Sequence, residues 1–335
     1  MNVAVRLKNW LRLLRAHTVV LEAPMAFLGA AIGLGTVYDP RVGAWLLFGA
    51  LYHGVGYGMN SYVDWEKGFD KEDDAKQHHP LNTGEIKPET AKKVIYGLTG
   101  ILTVYLLVLV NFHLPSVGLA VLMIASGLVY NYFGKYISLK AIPISIAHTL
   151  VFFIPYYTYA QEVSIYIVLV TAAYFVHHIY QIAVAGDIKD IYQDEASLIQ
   201  SLGATITEYK SRGVYMFDAT AKVMLLSYVL MLSEVSLVVG ALMYTDQTLA
   251  VVVLASILAG LAILNTDKMI RPGLFLRKKR LEYISKREFL GYTMVHTSSI
   301  YVIGYKAFAA MIVCMVVYLG IVSKFIWGNW LVPEV

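Results

Sequence analysis

The chain has 335 residues, 58% of them hydrophobic and 15% charged, with a net charge of +4 and a mean hydropathy of +0.60. Soluble domains carry about 25% charge and about 45–50% apolar residues, so the composition excludes both an ordinary soluble globule and a disordered chain. The single cysteine, Cys314, excludes an internal disulfide and a cysteine-rich zinc site, and so small a net charge gives no reason to expect a nucleic-acid partner.

In chain order, residues 1–16 predict an interfacial amphipathic arm, because Arg6, Lys8, Arg12 and Arg15 alternate with Val5, Leu7, Trp10, Leu11 and Leu14. A full-length apolar run follows directly, so no cleavable signal peptide is expected. A membrane-spanning helix needs about 20 mostly apolar residues. That window predicts about nine spans, roughly at 17–37, 43–63, 91–111, 115–133, 141–160, 164–186, 220–244, 247–265 and 298–323. Residues 268–297, which include the run RKKRLEYISKREF at 277–289, predict a cytoplasmic amphipathic connection on the membrane surface. The expected fold is therefore all-α: one domain over residues 1–335, a polytopic membrane helix bundle around a central cavity.

The connections alternate in character. Short ones are almost free of cations, whereas the N-terminal arm and the long connections hold 24 of the 27 Lys and Arg, leaving Arg41, Lys306 and Lys324. The positive-inside rule then places the N-terminus and the long loops in the cytoplasm of a multi-pass cell-membrane protein, and an odd number of spans puts the C-terminus outside.

Two acidic segments stand at cytoplasmic span ends. The first runs from Asn60 through Asp64 and Gly68 to Asp70 and on to Glu72, Asp73 and Asp74; the second is Asp187-Ile-Lys-Asp190-Ile-Tyr-Gln-Asp194. Asn60 and Asp64 are four apart and share a helix face. Asp187, Asp190 and Asp194 also fall on one face, and Gly68 predicts a helix end that lets the chain turn Asp70 back. Glu72, Asp73 and Asp74 read as solvated. The other carboxylates follow long apolar runs at helical spacing, where clustered charge needs compensation. Lys67, Lys71 and Lys189 are too few to neutralise both clusters. Carboxylate and amide oxygens suit Mg²⁺, which binds through one or two carboxylates plus substrate phosphates. Two such clusters facing one another would clamp a diphosphate.

Both segments resemble the aspartate-rich motifs of the UbiA superfamily of intramembrane prenyltransferases. Pro80-Leu-Asn-Thr-Gly84-Glu-Ile-Lys-Pro88 is similar to the turn that opens the family's third helix, Tyr130-Asn-Tyr-Phe-Gly-Lys135-Tyr136 to its tyrosine-and-lysine loop, and Leu202-Gly203 to the end of its second motif. The pattern Asp64-xxx-Gly68-x-Asp70, with Arg15-Ala-His-Thr, Pro24 and Gly29, resembles the menaquinone branch, whose members prenylate dihydroxynaphthoate. Ser61 and His79 depart from the family's usual Asp and Arg. The resemblance implies Mg²⁺-dependent transfer of a polyprenyl group from polyprenyl diphosphate to a lipophilic or aromatic acceptor of naphthoate type, as in quinone biosynthesis. It implies one Mg²⁺ on Asn60, Asp64 and Asp70 and another on Asp187, Asp190 and Asp194. Lys135 would contact phosphate, with Lys67, Lys140 and His79 as further substrate contacts, and Asp64 and Asp190 as the key acids. Tyr130 would face the allylic cation; Tyr57, Tyr62, Tyr132 and Tyr180 read equally as interfacial aromatics.

Glu22, His53, His148, the pair His177-His178, Gln181 and Glu234 also fall in apolar runs, as acceptor-site or packing residues. Two readings compete with an aromatic acceptor: prenyl transfer to a glyceryl phosphate lipid, and an ion-coupled transporter using intramembrane carboxylates.

Overall fold

The computed structural model describes residues 3–70, 79–190, 196–208, 214–245 and 248–328, without the side chains of Asp190, Arg277 and Lys278. Helices form where the apolar runs predict them. They are α1 (Val3–Leu13), α2 (Ala23–Leu34), α3 (Pro40–Glu66), α4 (Pro88–Leu109), α5 (Leu114–Phe133), α6 (Ala141–Ala160) and α7 (Ile165–Tyr180). A π-helical turn (Gln181–Gly186) leads to the short α8 (Asp187–Asp190) and α9 (Leu198–Ser201), then α10 (Ala221–Tyr244), α11 (Leu249–Ile270), α12 (Arg277–Thr297) and α13 (Ile300–Trp327). Local caps set several starts: Asp39 accepts from the Arg41 amide, Ser164 from Ile167 and Thr220 from Val223.

Among the described residues eight helical stretches are long and apolar enough to cross a membrane, and the chain is an all-α polytopic membrane bundle. The span expected at 43–63 forms the 27-residue α3. Its Gly, His, Tyr and Asn residues keep it out of the apolar eight, although at 1.5 Å per residue it is about 40 Å long. Three short strands, which the sequence did not announce, make a small antiparallel sheet: β1 (Thr205–Glu208), β2 (Val214–Asp218) and β3 (Gly273–Leu276). Thr205 pairs with Asp218, and Val214 with Leu276. Buried Phe217 and half-buried Phe275 sandwich the Arg280 guanidinium, which lies 4.6 Å and 3.7 Å from their ring centres.

The chain divides into two compact units. The first comprises residues 1–132, 150–161 and 305–335. Its core includes Met25, Leu28, Trp45, Phe48 and Leu106. Glu22 is spent inside it, bound to His53 Nδ1 at 3.0 Å, while His53 Nε2 lies 3.1 Å from the Thr18 hydroxyl. That network explains Glu22 as a packing residue. The end of α13 lies beside the N-terminal arm: the Tyr318 hydroxyl donates to the Ala16 carbonyl at 2.9 Å, and Arg12 sits 4.8 Å over the Trp327 ring. The N-terminal arm and the end of α13 therefore lie beside one another within this unit.

The second unit comprises residues 133–149 and 162–304. Residues 277–297 do not lie along a surface; α12 runs antiparallel to α7 over its whole length. The Tyr166 hydroxyl donates to the Ser298 carbonyl at 2.9 Å, Tyr174 to His296 Nδ1 at 2.7 Å, and Tyr292 to His178 Nε2 at 2.9 Å. At the other end Ile188 and Lys189 line a water-sized cavity of about 10 Å³ with Arg280, Leu281 and Ile284. The 21 residues of α12 cover about 31 Å, the thickness of a bilayer's hydrocarbon core. Hydropathy misses this helix because its polar side chains are satisfied inside. Arg287 and Glu234, both fully buried, form an ion pair, and His177 Nδ1 donates to the same carboxylate at 2.9 Å. A Cβ on Gly291 would come within 2.4 Å of the His177 ring, so only glycine allows this approach.

Candidate functional site

The first acidic segment is built by the end of α3. Asn60 and Asp64 lie one turn apart on this helix, which ends at Glu66. Gly68 then takes φ +93°, a left-handed conformation that side-chain-bearing residues resist. The chain folds back, so that the Asp70 amide donates to the Asp64 carbonyl at 3.4 Å. The Asn82 side chain donates to the Asp70 carbonyl at 2.9 Å and fixes the return. Asp64 is 5% exposed and Asp70 2%, so both residues have largely left bulk water.

Lys67 donates to the Tyr132 carbonyl, which holds its ammonium beside the end of α5. The Tyr132 hydroxyl meets that of Tyr96, and Tyr62 donates to Glu66 at 2.8 Å. Tyr130 is half-buried in the last turn of α5. His79 starts the Pro80 turn, its carbonyl accepting from Asn82 at 2.9 Å. Tyr57 lies under the Arg15 guanidinium at 5.1 Å.

The second acidic segment leaves α7 through the π-helical turn, a feature that often sits at functional sites. Asp187 is fully buried. One of its oxygens accepts from the Leu198 amide at 2.8 Å, and the other lies 3.0 Å from Lys140 Nζ. The Lys135 carbonyl accepts from the Ala196 amide at 3.2 Å. The Asp190 backbone belongs to α8; its side chain, and Asp194 altogether, lie outside the described residues, as do Glu72, Asp73 and Asp74. Tyr180 is fully buried under the Arg287 guanidinium at 4.1 Å, and its hydroxyl donates to Thr266 at 3.2 Å, so it serves packing.

The donor set suits a hard divalent ion. Asn60, Asp64 and Asp70 offer only oxygen ligands. Among the described residues no group of three His, Cys, Asp or Glu side chains is placed to hold a metal ion by itself. Sequence reasoning missed the Arg287–Glu234–His177 cluster. The signal was available in Glu234, a carboxylate in an apolar run that demands a buried cation.

The model of the UbiA prenyltransferase family matches residues 23–272. Among solved structures, the chain is similar to a digeranylgeranylglyceryl phosphate synthase in membranes, with 18% identity over 91% of this chain and 99% of that one and a TM-score of 0.58. It is similar to a UbiA homolog from Aeropyrum pernix K1, with 14% identity over 85% and 96% of the two chains and a TM-score of 0.59. It is also similar to a UbiA homolog from Archaeoglobus fulgidus bound to GPP and Mg²⁺, with 15% identity over 88% and 99% and a TM-score of 0.59. No curated protein matches the chain.

Proposed function

The chain belongs to the UbiA prenyltransferase family and is a membrane prenyltransferase, and from that premise we propose that it transfers a polyprenyl group to an aromatic acceptor of naphthoate type, with Mg²⁺, at the cytoplasmic face. The observation that supports the reading is the fold-back at Gly68, which returns the Asp70 amide to the Asp64 carbonyl and leaves both residues buried, one turn after Asn60. The Archaeoglobus fulgidus homolog bound to GPP and Mg²⁺ supports the same substrate class. The N-terminus, the aspartate segments and the arm's cations are assigned to the cytoplasm on the charge distribution.

Mg²⁺ supplies the charge that lets an allylic diphosphate leave. Asn60, Asp64 and Asp70 would hold one ion, and Asp187, Asp190 and Asp194 another. Lys135 and Lys67 would contact phosphate oxygens as point charges, and Lys140 and His79 would be further substrate contacts. The prenyl C1–O bond breaks with its electron pair going to diphosphate. A carbon of the acceptor ring bonds to C1, and the ring proton leaves to solvent. Tyr130 presents its ring to the allylic cation.

The transporter alternative loses its ground once the family is known. One other acceptor keeps a specific observation in its favour: the likeness to a digeranylgeranylglyceryl phosphate synthase favours a glyceryl phosphate lipid. The deciding experiment incubates the protein in nanodiscs with labelled polyprenyl diphosphate, with and without Mg²⁺, against aromatic acids and glyceryl phosphates, and reads product mass. An Mg²⁺-dependent prenyl–aromatic product is expected. A product with glyceryl phosphate alone selects the second reading, and no diphosphate release with any acceptor sinks both.

A further inference from the structure

Arg15 stands apart from the other cations of the N-terminal arm. It occupies the turn between α1 and α2 with φ 47° and ψ 42°, a left-handed conformation that a residue with a Cβ resists. Strain of this kind persists only where surrounding contacts impose it, and it gathers at functional sites. Here the contacts converge on the Arg15 carbonyl. It accepts from the Thr18 amide at 3.0 Å and from the Thr18 hydroxyl at 3.0 Å, and His53 Nε2 lies 3.2 Å away. Glu22 orients His53 through its other ring nitrogen. The turn held in this way lays the Arg15 guanidinium over Tyr57, 5.1 Å from the ring centre. Arg12, three residues earlier, has Glu85 as a counter-charge at 3.9 Å. Among the described residues Arg15 has no carboxylate partner.

Its seat links that cation to the first acidic segment. His53, Tyr57, Asn60 and Asp64 are spaced four, three and four residues apart, so they form one stripe along α3, about 16 Å long. Arg15 is anchored on the half of the stripe away from Asp64. Along the helix axis Tyr57 is about 4.5 Å from Asn60 and about 10 Å from Asp64. Arg15, Tyr57 and Asn60 are all half-buried, so the stripe is open to a ligand. A diphosphate held at Asn60 and Asp64 leaves Arg15 one turn away, beside whatever lies next to the reacting prenyl carbon. A cation there without a carboxylate calls for an anion on that neighbour.

We propose that Arg15 is the specificity residue for the acceptor: its guanidinium binds the acidic group, a carboxylate or a phosphate, of the molecule that receives the prenyl chain. The planar fork of donors matches either oxyanion. The proposal rests on the prenyl-transfer reading for what the acceptor receives, but the anion site can be tested by binding alone.

The test uses the full chain in phosphatidylcholine nanodiscs, where no anionic lipid competes. Equilibrium binding of radiolabelled 1-hydroxy-2-naphthoate and of an O-geranylgeranyl glyceryl phosphate is compared with that of their uncharged counterparts, 1-naphthol and O-geranylgeranyl glycerol. Arg15→Gly removes the guanidinium and suits the positive φ, so the turn is eased; Arg15→Lys keeps the charge without the fork. The acid that binds is expected to weaken at least tenfold in Arg15→Gly and two- to fivefold in Arg15→Lys, while its uncharged counterpart changes less than twofold. In the transfer assay Arg15→Gly is expected to raise KM for that acid at least tenfold and KM for polyprenyl diphosphate less than twofold. Binding of the naphthoate supports the aromatic acceptor and binding of the glyceryl phosphate the lipid; Arg15 dependence of either supports the proposal. Equal losses for the acid and its uncharged counterpart would overturn it. So would an unsubstituted chain that bound neither acid, or a tenfold rise in KM for polyprenyl diphosphate. Arg15-dependent binding without turnover would fail the prenyl-transfer reading and leave the anion site standing.

Discussion

Replacing Glu234 by Gln tests the ionic clamp that admits a polar helix to the bundle. Both partners of the Arg287–Glu234 pair are 0% exposed, so the substitution leaves a guanidinium buried without its carboxylate, at about 3–5 kcal/mol. His177, which donates to the same group at 2.9 Å, keeps only a neutral acceptor, adding about 1 kcal/mol. The expected loss is therefore about 4–6 kcal/mol, comparable with the whole stability of many domains. Arg287→Met alone strands the carboxylate and should cost a similar amount. The double variant Glu234→Gln/Arg287→Met leaves neither charge, and should recover about 3 kcal/mol relative to the sum of the singles. Equilibrium unfolding in mixed micelles measures all three. Single losses below about 1 kcal/mol, or singles that add to within about 0.5 kcal/mol, would refute a buried coupled pair.

Three further predictions concern other parts of the chain. In a Cys314→Ser background, Arg6→Cys and Gly328→Cys should react with an impermeant thiol reagent from the same side of sealed vesicles; labelling from opposite sides would contradict the contact between the arm and the end of α13. Gly68→Ala meets a φ of +93° that costs a side chain about 1–2 kcal/mol. It should raise half-saturating Mg²⁺ in the transfer assay severalfold, and an unchanged Mg²⁺ requirement would show that the fold-back does not organise the metal. The Arg41 side chain and amide both bond to Asp39, and hold its carboxyl at about 2, below the usual 3.8. Its capping of α3 should therefore be complete above about pH 4 and lost as pH falls through about 2. The Asp39→Asn variant should lack that acid step in a helix-content titration.

The spans and the turn after α3 were legible because neighbouring residues write them: Asn60 and Asp64 are one helical turn apart, and Gly68 at the helix end announces the fold-back to Asp70. The partners of the second segment were not. The long-range partners could not be read at all. Nothing local tells Asp187 that Lys140 is its neighbour, or Glu234 that its cation stands at Arg287. For the same reason RKKRLEYISKREF read as a surface segment. Hydropathy scores each side chain as if it met lipid, whereas Arg287, His296 and Tyr292 meet protein. The small sheet was invisible because its strands are four or five residues long and the third is distant in sequence.

The most direct test of the central claim is the number of Mn²⁺ ions bound per chain with a non-reacting prenyl thiodiphosphate. The account predicts two in the unsubstituted protein, one in Asp64→Asn and one in Asp190→Asn. Two ions retained in either variant would contradict it.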